Sequence, residues 1–133
     1  MKNSSFRTLL CINVVLNAAA IVAVAFPTYS ESLSMAIESE PQPWLMSNLW
    51  LAGSVTGLLL SAWILGLAGL FFFKRWARTV ALYTTGLTLL ATPWFGTYVY
   101  SGIETALFEA ATLSWGAVLA ASYFSPVSTR FGR

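Results

Sequence analysis

Four long runs of almost unbroken apolar residues alternate along the chain with short polar segments that carry nearly all of its charge. Residues 8–26, 49–73, 79–100 and 103–124 contain no Lys, Arg or Asp, and each matches the roughly 20 residues that a membrane-crossing helix needs. The pattern predicts an all-α fold: one domain over residues 1–133, built as a four-span antiparallel transmembrane helix bundle. The turn Lys74-Arg75-Trp76-Ala77-Arg78 is tight and predicts a hairpin of the second and third helices. Ser101-Gly102 predicts a second hairpin, since Gly102 gives a tight turn its backbone freedom. The one long connection, residues 27–48, is acidic and holds the extended Pro41-Gln42-Pro43. Within it, Leu33, Met35, Ala36 and Ile37 give residues 30–39 the apolar surface of a short interfacial helix.

The charges orient the bundle. Lys2 and Arg7, then Lys74, Arg75 and Arg78, then Arg130 and Arg133 fall on one side if both termini are cytoplasmic. Glu31, Glu38, Glu40 and Glu104 then fall on the other side, and the opposite orientation would translocate every cation. Lys74, Arg75 and Arg78 are thereby assigned a topology-setting role beside the lipid headgroups. Trp44, Trp50, Trp94, Tyr98 and Tyr100 mark the outer boundary, and Trp76, Tyr83 and Tyr123 the inner one. A competing reading takes Ala23-Val24-Ala25 as a signal-peptidase pattern, which would leave three spans in the same orientation. Asn13 and Asn17 interrupt that apolar run, and an uncleaved first helix is the expectation.

Composition agrees with lipid as the solvent. The chain is 57% hydrophobic and 9% charged, against about 25% charged in soluble domains. A net charge of +2 gives no reason to expect nucleic acid as a partner. The chain has no His, which removes the commonest metal ligand and general base. A single cysteine, Cys11, excludes an intrachain disulfide and the four-helix thiol oxidoreductases of membranes. No metal and no cofactor are expected.

Few residues carry candidate chemistry. Glu109 lies inside the fourth apolar run, about 9 Å below its outer boundary, where an ionisable group is costly and marks a functional hypothesis. Thr105, Thr112 and Gly116 share its helical face, and that face is expected to turn into the bundle. Asn13 and Asn17 share a face of the first helix, and such amides seek partners on another helix. Asn17, Thr56, Thr92 and Glu109 are the predicted intramembrane polar cluster. Gly53, Gly57 and Ser61 form a small-residue stripe on the second helix, expected to pack within the chain or against another subunit. Pro93 predicts a kink near the outer end of the third helix.

The Lys74–Arg78 turn and the ending Tyr123-Phe124-Ser125-Pro126 with Arg130-Phe131 resemble those of small bacterial inner-membrane proteins with four helices. That resemblance implies a multi-pass protein of the bacterial inner (plasma) membrane and carries no activity. Small multidrug-resistance transporters fit poorly, because their first helix bears an acid where this chain has only asparagines. Membrane glutathione-conjugating enzymes also fit poorly, because their basic and polar pattern is missing. The expected function is a non-enzymatic interaction or accessory protein of a membrane complex, with the lipid bilayer and a membrane-protein partner, or a second copy, meeting helix two. The alternative is a small oligomeric transporter or channel with Glu109 as its proton- or cation-coupling group. An enzyme acting on lipid is the least favoured, since acid–base catalysis needs positioned partners.

Overall fold

The computed structural model describes residues 3–26, 33, 35, 39, 41, 43–96 and 98–132. Among them the chain is helical, with no strand. The helices are α1 (Asn3–Ala25), α2 (Trp44–Ser47), α3 (Leu49–Phe71), α4 (Arg75–Ala91) and α5 (Gly102–Phe124). Short 3₁₀ helices follow α4 and α5, at Thr92–Phe95 and Pro126–Gly132. Three of these helices, α1, α3 and α5, are long and apolar enough to cross a membrane. Of the interfacial helix expected over 30–39, only Leu33, Met35 and Ser39 are described. Leu33 and Met35 are helical, and the rest of that stretch lies outside the described residues.

The four long helices associate as two pairs. Helix α1 packs along α5, and α3 packs along α4, while contacts between the pairs are few. The α1–α5 seam has a spacing written in the sequence. Phe6, Leu10, Asn13 and Ala20 are buried and Asn17 is half-buried, so the inward positions of α1 alternate by three and four. Glu104, Ala111, Trp115, Val118 and Ser122 repeat that spacing on α5. Steps of three and four keep one stripe of a helix facing its neighbour. The α3–α4 pair instead approaches closely through small residues. A Cβ on Gly66 would stand 3.5 Å from Ala81 Cα, and one on Gly69 would stand 2.5 Å from Ala77 Cβ. The expected packing stripe Gly53, Gly57 and Ser61 makes no such contact. Nothing lies within 4 Å of a Cβ built on Gly53 or Gly57, and Ser61 is exposed.

One end of the molecule holds the core. Phe6, Leu70, Val127 and Phe131 are buried there with Ala77, Ala81, Trp115 and Val118. Phe6 meets Phe73 and Phe131 at ring-centroid distances of 5.7 and 5.9 Å, and Phe73 meets Phe131 at 5.4 Å. The same end gathers the cations: Arg7 stacks over Phe71 and Phe73, and Arg78 over Tyr123 and Phe131. Arg78 is thus more than a topology marker. Its Nη1 donates to the Ser122 carbonyl at 3.1 Å, tying α4 to α5.

The turn from α3 to α4 closes with Lys74 N–H donating to Gly69 O at 2.8 Å and Phe73 N–H to Leu70 O at 3.1 Å. These two bonds define a Schellman motif, whose left-handed position usually holds glycine. Here Phe73 holds it, with φ 55°. A bulky side chain pays about 1–2 kcal/mol for that conformation, and its three aromatic and cationic neighbours account for its tolerance.

Helix α4, in the place of the span expected over 79–100, departs from expectation. It starts at Arg75, includes the basic turn, and gives way to 3₁₀ geometry at Thr92. Pro93 sits in the first turn of the 3₁₀ helix, where its missing N–H costs nothing. Gly96 then adopts φ 93°, ψ −158°, a region open only to glycine, with Pro43 packed where its Cβ would be. Gly96 and residues 98–100 are consequently not helical, and Ser101-Gly102 is not a tight hairpin turn. Ser101 instead caps α5: its Oγ accepts from Glu104 N–H at 3.3 Å, and Glu104 Oε2 accepts from Ser101 N–H at 2.8 Å. This reciprocal capping box explains the burial of Glu104 without a cation.

Candidate functional site

Away from the core the two helix pairs separate around a cavity of about 510 Å³. Asn17 and Ile21 of α1 form one wall, and Thr56, Leu59, Leu60 and Trp63 of α3 another. Thr88 of α4, Thr92 and Phe95 of the 3₁₀ segment, Tyr98 and Met46 complete it. A second space of about 230 Å³ shares Asn17, Trp63 and Thr88 and reaches α5 at Phe108, Ala111, Thr112 and Trp115. Neither cavity has a charged residue in its lining.

The polar groups around these spaces are ordered by their own hydrogen bonds. Fully buried Asn13 donates from Nδ2 to Ala111 O at 2.9 Å and to Ser114 Oγ at 2.8 Å, locking α1 to α5. Ser114 Oγ donates to the same Ala111 carbonyl at 2.8 Å. Asn17 Nδ2 donates to Asn13 O at 2.9 Å and to Asn13 Oδ1 at 3.3 Å. The donors thus point along one chain, from Asn17 through Asn13 to Ala111. Between the pairs, Trp115 Nε1 donates to Thr85 Oγ1 at 2.8 Å. Thr85, Thr88 and Thr92 each return their hydroxyl proton to the carbonyl four residues earlier, the usual way a helix satisfies threonine in an apolar setting. In the segment after the 3₁₀ helix, burial and then neighbouring Tyr100 raise the Tyr98 phenol above its ordinary value.

Three of the four residues of the expected cluster therefore meet at one cavity: Asn17, Thr56 and Thr92. Glu109 does not. It is exposed, together with Thr105, Thr112 and Gly116 of the same face. The reason is helical geometry. Glu109 lies two residues, about 200°, from buried Ala111, and so on the opposite side of α5. The place expected for Glu109 is taken by Thr88, Trp63 and Tyr98. Thr88 was signalled by Thr84, Thr88 and Thr92 recurring every fourth residue. Among the described residues no cluster of His, Cys, Asp or Glu could hold a metal ion. Of the basic turn, Lys74 and Arg75 are exposed, while Arg78 is half-buried with its Nε lacking a hydrogen-bond partner among the described residues.

No protein-family model, curated protein or solved structure matches the chain.

Proposed function

We propose that the chain is a four-span protein of the bacterial inner membrane, with both termini cytoplasmic, that serves as a non-enzymatic accessory subunit of a larger membrane complex. The observation that carries this reading is Glu109. It lies seven residues beyond Gly102, about 10 Å along α5, and points away from its own chain. A carboxylate at that depth facing acyl chains is expensive, and intramembrane acids normally face protein or water. Thr105 and Thr112 extend the same face with further polar groups. A partner helix bearing a cation or a hydrogen-bond donor would satisfy the Glu109 carboxyl, while Thr112 already donates its hydroxyl proton to Phe108 O at 2.8 Å.

Other features support the reading. Only 17%, 17% and 22% of the apolar windows of α1, α3 and α5 are buried within the chain, so most of their surface needs lipid or a partner. The open Gly53–Gly57–Ser61 stripe of α3 offers a partner helix a second face of close approach. As for the fourth span, α4 and its 3₁₀ extension together reach about 34 Å, enough for a hydrocarbon core of about 30 Å. The cations at the start of α4 oppose its helix dipole, and no acid offsets them in the first turn. Helix energetics do not favour that placement, whereas retention on the cytoplasmic side does.

Tagged purification from native-host membranes in mild detergent tests the reading. A stoichiometric larger partner is expected, with Glu109→Gln reducing its recovery while the variant inserts normally. A homo-oligomer with no partner would overturn it in favour of an oligomeric transporter, for which Glu109→Gln in a liposome flux assay is decisive.

A further inference from the structure

The cavity between the helix pairs is uncharged, and its polar lining offers both kinds of hydrogen-bonding group: the Thr56 and Tyr98 hydroxyls and the Trp63 indole N–H are donors. Thr88 Oγ1 gives its proton to Thr84 O at 2.9 Å, and Thr92 Oγ1 to Thr88 O at 2.8 Å. Asn17 directs Nδ2 to Asn13. These three residues have committed their donors, and what they have left to offer is oxygen lone pairs. No charged residue lines the space, and Ile21, Leu59, Leu60 and Phe95 supply apolar walls. Its volume of about 510 Å³ lies within the range of small-molecule sites. At about 30 Å³ per water-sized group it holds on the order of 17 non-hydrogen atoms.

We propose that this cavity binds a neutral single-chain lipid whose headgroup donates hydroxyl protons, a monoacylglycerol being the simplest example. The two headgroup hydroxyls donate to Thr88 and Thr92 and accept from Thr56 and Tyr98, and the acyl chain lies against Leu59 and Leu60. A fatty-acid anion suits the site badly, because its carboxylate would leave water for a lining that holds no cation. A two-chain phospholipid exceeds the volume and adds a phosphate charge.

The test uses the full-length protein in non-ionic detergent, with equilibrium binding of monododecanoylglycerol followed by native mass spectrometry. Saturable binding of one molecule is expected, with dodecanoate at pH 8 at least about tenfold weaker because its charge is unpaired. Thr88→Val with Thr92→Val should weaken the glycerol ester by about tenfold or more, as two hydrogen bonds are lost. Leu59→Trp should abolish binding by filling the space, and circular dichroism checks that both variants fold. Absence of saturable binding, equal affinity for dodecanoate, or undiminished binding in the folded variants would overturn the proposal. The ester–acid comparison needs only the wild-type chain, so it decides the matter even if a variant misfolds.

Discussion

Replacing Asn13 probes the joint between α1 and α5 directly. Asn13 is fully buried, and its amide donates to Ala111 O and Ser114 Oγ at 2.9 and 2.8 Å. Asn13→Leu keeps most of the volume and removes both bonds. Interhelical hydrogen bonds in membranes average ~0.6 kcal/mol, with a maximum of ~1.7. Ala111 O still accepts from Ser114, and Asn17 keeps the Asn13 backbone carbonyl. The expected cost of Asn13→Leu is therefore about 1 kcal/mol, with Ser114→Ala costing about half of that. Asn13→Asp is different in kind. Its carboxylate would keep Asn17 Nδ2 as a donor to one oxygen but turn the other toward the Ala111 carbonyl in place of the lost amide, a buried charge with no cation to pair it, worth about 3 kcal/mol or more. Denaturant titration in mixed micelles, followed by tryptophan fluorescence, gives all three costs. A variant with Asp at position 13 that is as stable as the Leu variant at pH 7 would refute the assigned hydrogen-bond network.

Two further substitutions test local geometry with the same assay. Gly69→Ala should destabilise by about 2 kcal/mol, in the range of overpacked cores, because its Cβ would stand 2.5 Å from Ala77 Cβ; Gly53→Ala and Gly57→Ala, with nothing within 4 Å, should stabilise the isolated chain by up to about 1 kcal/mol each. At the α3–α4 turn Phe73→Gly should be more stable than Phe73→Ala, since both lose the ring and only glycine sheds the left-handed strain of about 1–2 kcal/mol; the reverse order would contradict the Schellman assignment.

The long apolar elements were legible because lipid demands length and apolarity together, and little else satisfies both. Helix α3 was expected over 49–73 and ends at Phe71, and α5 was expected over 103–124 and begins at Gly102. Helix α1 begins five residues earlier than its apolar run, since Asn3–Arg7 are polar enough to leave the membrane without leaving the helix. Helix α4 was the hardest to place. Its Thr residues and Arg78 dilute the apolar signal, and Pro93 with Gly96 stops it where aromatic residues suggested continuation. The polar site was legible only in part. Thr56 and Thr92 are polar groups at one depth, with Asn17 about 7 Å further in, and depth is readable by counting. Which way Glu109 turns is not, because small polar faces suit both an interior and a partner. The stronger cue lay beside it, in the spacing of Ala111, Trp115, Val118 and Ser122, which fixes the inward stripe and puts Glu109 opposite. Arg78 was hidden for a similar reason. Its charge explained its position along the chain, and only packing reveals the Tyr123 and Phe131 rings around it.

Site-directed photocrosslinking in native-host membranes tests most directly whether the outward face of α5 meets protein. A photoreactive residue replaces Thr105, exposed one turn from Glu109 on that face, and a second chain carries it at Val15, an exposed apolar position of α1 at 65% accessibility. The docking account predicts a discrete protein adduct from position 105, lost in Glu109→Gln, and lipid adducts alone from position 15. Lipid adducts alone from both positions would contradict it.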